Sequence, residues 1–229
     1  MTTAPLAIAR RSAAEFLGSA LLAAIVIGSG IAATQLSDDV GVQLLINAIA
    51  TAFGLFVLIT VLGPISGAHF NPLVSLVDLA FGLRGLRDIA PYIAAQIAGC
   101  IAGSMLANTM FDAAPLSISV NDRVTAGHLV AEVVATAGLI LVIFALVRSG
   151  RANLAAVVVA TYIGSAYFFT SSTSFANPAI TIGRIFSDSF AGIAPSSVVP
   201  FIVAQIVGAA IGFAIVKLFY PTHEKAATT

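Results

Sequence analysis

A chain of 229 residues, 59% of them hydrophobic and only 9% charged, cannot cover a water-exposed surface, because soluble domains carry about 25% charged residues. Ten basic residues balance ten acidic ones, so the chain has no basic footprint for nucleic acid. The single cysteine, Cys100, excludes an internal disulfide framework and a cysteine-rich metal site. With a mean hydropathy of +1.05, the expected solvent is a lipid bilayer and the expected class a polytopic membrane protein. No metal, cofactor or nucleophile–base motif stands out, so neither an enzyme nor a cofactor is expected.

A membrane helix needs roughly 20 apolar residues to cross a ~30 Å hydrocarbon core. The sequence predicts six, at about 12–34, 41–62, 90–111, 127–148, 153–173 and 196–220. The first follows Arg10 and Arg11 and holds Glu15, and it is longer than the apolar region of a cleaved signal peptide. Two shorter apolar pieces, about 71–81 and 177–187, would rise only ~15 Å as helices, halfway across. An N-terminus in the cytoplasm places Arg10, Arg11, Arg84, Arg87, Arg148, Arg151, Lys217 and Lys225 inside, against Arg123 and Arg184 outside. That asymmetry predicts a multi-pass protein of the cytoplasmic (inner) membrane with both termini cytoplasmic.

The chain also repeats itself. Ala95-Gln96-Ile97-Ala98-Gly99 with Gly103 matches Ala204-Gln205-Ile206-Val207-Gly208 with Gly212. Ala14-Glu15 resembles Ala131-Glu132, and His69-Phe70-Asn71-Pro72 resembles Phe175-Ala176-Asn177-Pro178. The three matches occur in the same order in both halves. Three spans per half is an odd number, so the second half must enter the membrane inverted. The expected fold is a single domain over 1–229, all-α, with six transmembrane helices and two re-entrant half-helices in an inverted 3+3 repeat. Repeat one covers about 12–111 and repeat two about 127–220.

Asn71-Pro72 and Asn177-Pro178 each read as a helix start, Asn as cap and Pro as first helical residue. With the halves inverted, the two starts meet near the midplane, and their partial positive charges disfavour cations there. An Asn can cap its own helix through its oxygen and still offer its NH2 group to a passing molecule. The stretches 63–68 and 171–176 are expected to be non-helical, with carbonyls and hydroxyls lining a wall suited to a small neutral solute. Glu15 and Glu132 are costly in a membrane. Accepting hydrogen bonds from the backbone of the re-entrant loops is the preferred role, and a proton- or cation-coupling site is the rival. His69 is expected to pack where the chain re-enters and to line the pore, with a plain buried His as the alternative. Asp78 and Asp88 near Arg84 and Arg87 read as a solvated charge cluster, and Tyr92 and Tyr220 as interface anchors. The paired glycines read as small-xxx-small contacts for close helix packing.

Taken together, Ser66-Gly67-Ala68-His69-Phe70-Asn71-Pro72, Ala176-Asn177-Pro178-Ala179, the two Glu residues and the paired Ala-Gln-Ile-x-Gly segments resemble the major intrinsic proteins, that is, the aquaporins and aquaglyceroporins. The likeness covers about residues 12–220 and implies a pore in each subunit and a homotetramer. It also marks departures. Leu73 stands where the first Asn-Pro-Ala box has its last Ala. Ile180 stands where the family has the arginine of an outer selectivity filter. By ungapped spacing the other three filter positions fall on Thr51, Ser165 and Ser174, with Phe53 the alternative to Thr51. Such a filter is expected to be wide and neutral, resembling bacterial members associated with metalloid passage. Arg184, one turn beyond Ile180, is expected to snorkel outward. The resulting expectation is a passive channel for small uncharged solutes: water, glycerol-like molecules, arsenite and related metalloid hydroxides. An ion-coupled secondary transporter and a structural membrane protein are the alternatives.

Overall fold

The computed structural model describes residues 7–221, and Lys225 lies outside the described residues. Among the described residues, six helices are long and apolar enough to cross a membrane. In chain order the helices are α1 (Ile8–Leu36), α2 (Val40–Ser66), the short α3 (Pro72–Ala80), α4 (Leu86–Met110), α5 (Ala126–Arg148), α6 (Ala155–Phe169), the short α7 (Pro178–Gly183) and α8 (Pro195–Phe219). A 3₁₀ turn, Ala152–Leu154, leads into α6, and another, Arg184–Phe186, continues α7.

The second half repeats the first: α5, α6, α7 and α8 correspond to α1, α2, α3 and α4. The contacts follow the same correspondence. The most extensive packing is α1 on α4 in the first half and α5 on α8 in the second, and α2 meets α6 across the halves. The glycine pairs explain the tightest of these contacts. A Cβ on Gly99 would overlap the Phe16 carbonyl oxygen, and one on Gly103 the Ala20 carbonyl oxygen. In the second half a Cβ on Gly208 would overlap the Val133 carbonyl, and one on Gly212 would crowd the Ala137 carbonyl. Only hydrogen at these four positions lets the helix backbones touch, which is what drives association where no hydrophobic effect separates helix from lipid.

The half-helices start as their sequences require. Asn71 and Asn177 cap α3 and α7, and Pro72 and Pro178 occupy the first helical positions. Leu73 is buried in an apolar cluster with Ile140, Phe144 and Val216, so the enlarged side chain is absorbed by packing between the halves. The first re-entrant loop is shorter than expected. Gly63, Pro64, Ile65 and Ser66 remain helical, and the chain leaves α2 only at Gly67, whose φ is 94°. Pro64 lies in the last turn of α2, where it cannot donate to the Thr60 carbonyl one turn back, and the helix ends two residues later. The second loop, 170–177, is non-helical throughout.

Candidate functional site

Both loops are held by the same device. Glu15 on α1 is fully buried. Its Oε1 accepts from the Ser66 hydroxyl at 2.6 Å and the His69 N–H at 3.0 Å, its Oε2 from the Phe70 N–H at 2.7 Å and Gln96 Nε2 at 2.8 Å. Glu132 on α5 is buried in the same way. It accepts from Ser172 Oγ at 2.6 Å, the Phe175 and Ala176 N–H groups at 2.9 Å, and Gln205 Nε2 at 2.7 Å. Each carboxylate therefore accepts four hydrogen bonds, two of them from backbone that has no helical partner. That satisfaction is what non-helical chain needs at membrane depth. The loop conformations need the anchorage, because Ala68 (φ 51°) and Phe70 (φ 48°) in one loop, and Thr173 (63°), Ser174 (55°) and Ala176 (48°) in the other, are non-glycine residues in the left-handed region. Each such residue costs on the order of 1–3 kcal/mol.

The two loops meet through the asparagines. Asn71 Oδ1 accepts from Leu73 N–H at 3.0 Å, and Asn71 Nδ2 donates to the Ala176 carbonyl of the opposite loop at 2.8 Å. Asn177 mirrors this, capping the Ala179 N–H at 2.9 Å and donating to the Phe70 carbonyl at 2.7 Å. Each NH2 group has two hydrogens, so one remains on each asparagine after the cross-loop bond. The expectation that the whole NH2 group is free is corrected: half of it locks the halves together.

A cavity of about 700 Å³ runs between the halves and is lined by both asparagines. Toward the end where Arg11, Arg84 and Arg148 lie, it is lined by His69, Asp78 and Arg84. Arg84 Nε donates to Asp78 Oδ2 at 2.9 Å, and its Nη2 donates to the Ser66 carbonyl at 3.1 Å and lies 3.3 Å from His69 Nε2. His69 Nδ1 is 2.9 Å from Ser75 Oγ. This cluster corrects two sequence expectations. Asp78 is not a solvated surface charge but a buried residue of the cavity wall, whereas Asp88 pairs with Arg11 at 2.7 Å. Tyr92 is not an interface anchor either: it is fully buried, donates to the Ser66 carbonyl at 2.7 Å, and lies beneath the Arg84 guanidinium. Spacing alone could not reveal this, because α2's end, the loop after α3 and α4 converge there from distant sequence.

At the opposite mouth the cavity is lined by Thr51, Tyr167, Ser174, Ile180 and Arg184. Thr51 is buried and its hydroxyl lies 3.0 Å from that of Tyr167, whereas Phe53 is 71% exposed on the outer surface. Ser165 is not at the mouth. It is exposed, does not line the cavity, and its hydroxyl donates to the Tyr162 carbonyl of its own helix at 2.8 Å. Tyr167, two residues on, occupies the place assigned to it. Ala179 is fully buried behind Asn177.

Arg184 departs most from expectation. It does not snorkel outward but is 3% exposed and lines the cavity, its guanidinium carbon 3.4 Å above the Phe175 ring centroid and its Nε donating to the Ala191 carbonyl. The mouth is therefore not free of arginine. The physical cause is direction: side chains on a helix lean toward its N-terminus, so an arginine one turn beyond Ile180 reaches back along α7 toward Phe175. Arg123, in the loop before α5, stacks on the same ring at 5.5 Å and donates to the Gly192 and Phe190 carbonyls at 2.6 and 2.8 Å.

Comparison with known proteins places these features in context. Residues 3–175 match the family model described as "Major intrinsic protein". The chain is 46% identical over 210 residues to aquaglyceroporin AqpS of Rhizobium meliloti, covering 92% of this chain and 90% of that one. It is 32% identical over 183 residues to a probable aquaporin of TIP type from Medicago truncatula, covering 74% and 72%. The X-ray structure of the aquaglyceroporin from Plasmodium falciparum superposes with a TM-score of 0.68 at 23% identity, over 92% of this chain and 96% of that one. At that identity the likeness speaks for the fold.

Proposed function

The chain belongs to the major intrinsic protein family, and from that premise we propose that it is a passive membrane channel for small uncharged solutes such as glycerol and water. The observation that carries this reading is the cavity threaded between the inverted halves, with Asn71 and Asn177 on its wall where the two half-helix starts face each other. The remaining N–H of each asparagine serves a solute oxygen as it passes. The adjoining helix starts hold fixed positive partial charge against cations. No step forms or breaks a covalent bond.

Glu15 and Glu132 support the channel reading over the ion-coupled transporter. A coupling carboxylate must release and rebind its ion, whereas each of these is committed to four hydrogen bonds that hold a loop. Thr51, Tyr167, Ser174 and Ile180 set the size and polarity of one mouth, and His69, Asp78 and Arg84 those of the other. Arsenite, in its uncharged trihydroxide form, displays hydroxyls much as glycerol does and belongs to the same proposed solute class. The proposed setting is the cytoplasmic membrane, with both termini cytoplasmic, as the basic residues at one end of the helices favour. The proposed assembly is a homotetramer, as the family resemblance implies.

The test is a flux panel in proteoliposomes. A channel gives glycerol, water and arsenite fluxes that rise linearly with the gradient, with low activation energy. Flux that saturates and follows an imposed proton or sodium gradient identifies a transporter, and absence of flux in well-folded, reconstituted protein supports the structural reading.

A further inference from the structure

We propose that Arg184 is the specificity-determining residue of the mouth opposite the basic end, supplying from one turn beyond the usual position the guanidinium that Ile180 lacks. The inference rests on the channel reading above and concerns which solutes the channel admits.

Counting donors makes the case. An arginine carries five N–H donors. Nε is used by the Ala191 carbonyl, and among the described residues no protein group accepts from the two terminal NH2 groups. Four N–H groups on a residue 3% exposed must go somewhere, and the cavity that Arg184 lines is the polar space left to them. The head is not free to swing away, because its guanidinium carbon sits 3.4 Å from the Phe175 ring centroid and the Ala191 carbonyl holds its stem side. A guanidinium stacked and pinned in this way is pre-organised, so little freedom is lost when a solute binds.

A second observation points to a ligand at the same place. The Ser174 hydroxyl is buried on the cavity wall and has no hydrogen-bond partner among the described residues. Buried polar groups are normally paired; the Ser174 oxygen is closed off as it stands, and rotation about its Cα–Cβ bond is what turns it to the cavity that the residue lines. The mouth thus offers a fork of charged donors from Arg184, an unpaired hydroxyl from Ser174, and the apolar side chain of Ile180. That set fits a neutral polyhydroxylated solute: its oxygens accept from Arg184, one hydroxyl pairs with Ser174, and its carbon face lies on Ile180. The same guanidinium, with the Arg123 guanidinium also 5.5 Å from the Phe175 ring centroid, repels cations before they reach the asparagines.

The experiment compares wild type, Arg184→Ala, Arg184→Lys and the double variant Ile180→Arg/Arg184→Ala in proteoliposomes. Glycerol, sorbitol and sodium fluxes are read, with gel filtration as the folding control. Wild type admits glycerol and excludes sorbitol and sodium. In Arg184→Ala the glycerol-over-sorbitol preference falls about tenfold, as expected for losing a charge-assisted hydrogen bond, and sodium leaks. Arg184→Lys keeps sodium excluded because the charge remains, but loses solute discrimination because the fork is gone. The double variant regains discrimination, which an arginine acting only as a prop for Ala191 would not allow. Wild-type discrimination in Arg184→Lys, or a double variant as indiscriminate as Arg184→Ala, overturns the inference. Should Arg184→Ala fail to fold, the Arg184→Lys split between charge and solute discrimination decides. Absence of glycerol flux in wild type itself would instead refute the channel reading.

Discussion

Removing the Glu132 carboxylate tests the loop architecture most directly. In Glu132→Ala, four donors lose their acceptor: Ser172 Oγ, Gln205 Nε2 and the N–H groups of Phe175 and Ala176. The hydroxyl and the amide can rotate toward other acceptors, but the two backbone N–H groups cannot. At roughly 1–3 kcal/mol for each orphaned buried donor, those two alone cost about 2–6 kcal/mol. The loop then also loses its carboxylate anchor and keeps only weaker ties such as the Asn71 bond to the Ala176 carbonyl to hold Thr173, Ser174 and Ala176 at positive φ, and relaxing that strain displaces Asn177, the next residue in the chain. Against a total stability of about 5–15 kcal/mol, the substitution should abolish assembly or leave a protein with a much lower melting temperature and little glycerol flux. Glu132→Gln retains one acceptor oxygen and should fall between wild type and alanine. The assays are thermal unfolding in detergent and glycerol flux in proteoliposomes. An alanine variant with wild-type melting and flux would refute the clamp. Proton-driven uptake that disappears in Glu132→Gln would convert the residue into a coupling site.

Other expected outcomes concern the centre, the mouth and the packing. Asn177→Asp replaces the donor to the Phe70 carbonyl with a second acceptor and puts negative charge among the helix starts, so sodium leak should rise and melting temperature fall. An Asn177→Asp protein as cation-tight as wild type would contradict the central role. Ser165→Ala should leave all fluxes unchanged, whereas Tyr167→Phe, which breaks the 3.0 Å contact with Thr51, should alter the glycerol-to-water flux ratio; the reverse pattern would restore Ser165 to the mouth. Gly103→Val drives side-chain atoms into the Ala20 carbonyl and should prevent monodisperse folding, while Gly63→Ala meets nothing within 4 Å and should raise stability by about 0.5–1 kcal/mol. Equal behaviour of the two in gel filtration and melting would remove the packing argument.

The sequence by itself determined the frame of this protein. Spans, half-helices and inversion follow from composition, from the length a bilayer demands, and from a parity argument on three matched segments. Glu15 and Glu132 were legible because a membrane carboxylate is costly and occurs here at equivalent places. The glycine pairs were legible because close approach of helices leaves few residue choices. Asn-Pro carries its own local chemistry and needs no tertiary partner to be read as a helix start.

What faces the cavity was decided only in three dimensions. Residues two apart on a helix point roughly 200° apart, so counting back from Asn177 across a loop put Ser165 where the bend of the chain puts Tyr167. Asp78, Tyr92 and Arg84 look like surface and interface residues one by one, and they become a buried cluster only because the end of α2, the loop after α3, and α4 converge on the Ser66 carbonyl, with Asp78 paired to Arg84. Arg184 was read from its position near the end of a short helix, where a long cation ordinarily runs out to water. The lean of its side chain toward the helix start, the Phe175 ring and the Ala191 carbonyl turn it inward instead. Local sequence specifies where helices begin and how closely they pack, whereas the direction in which a long side chain finds its partners belongs to the assembled fold.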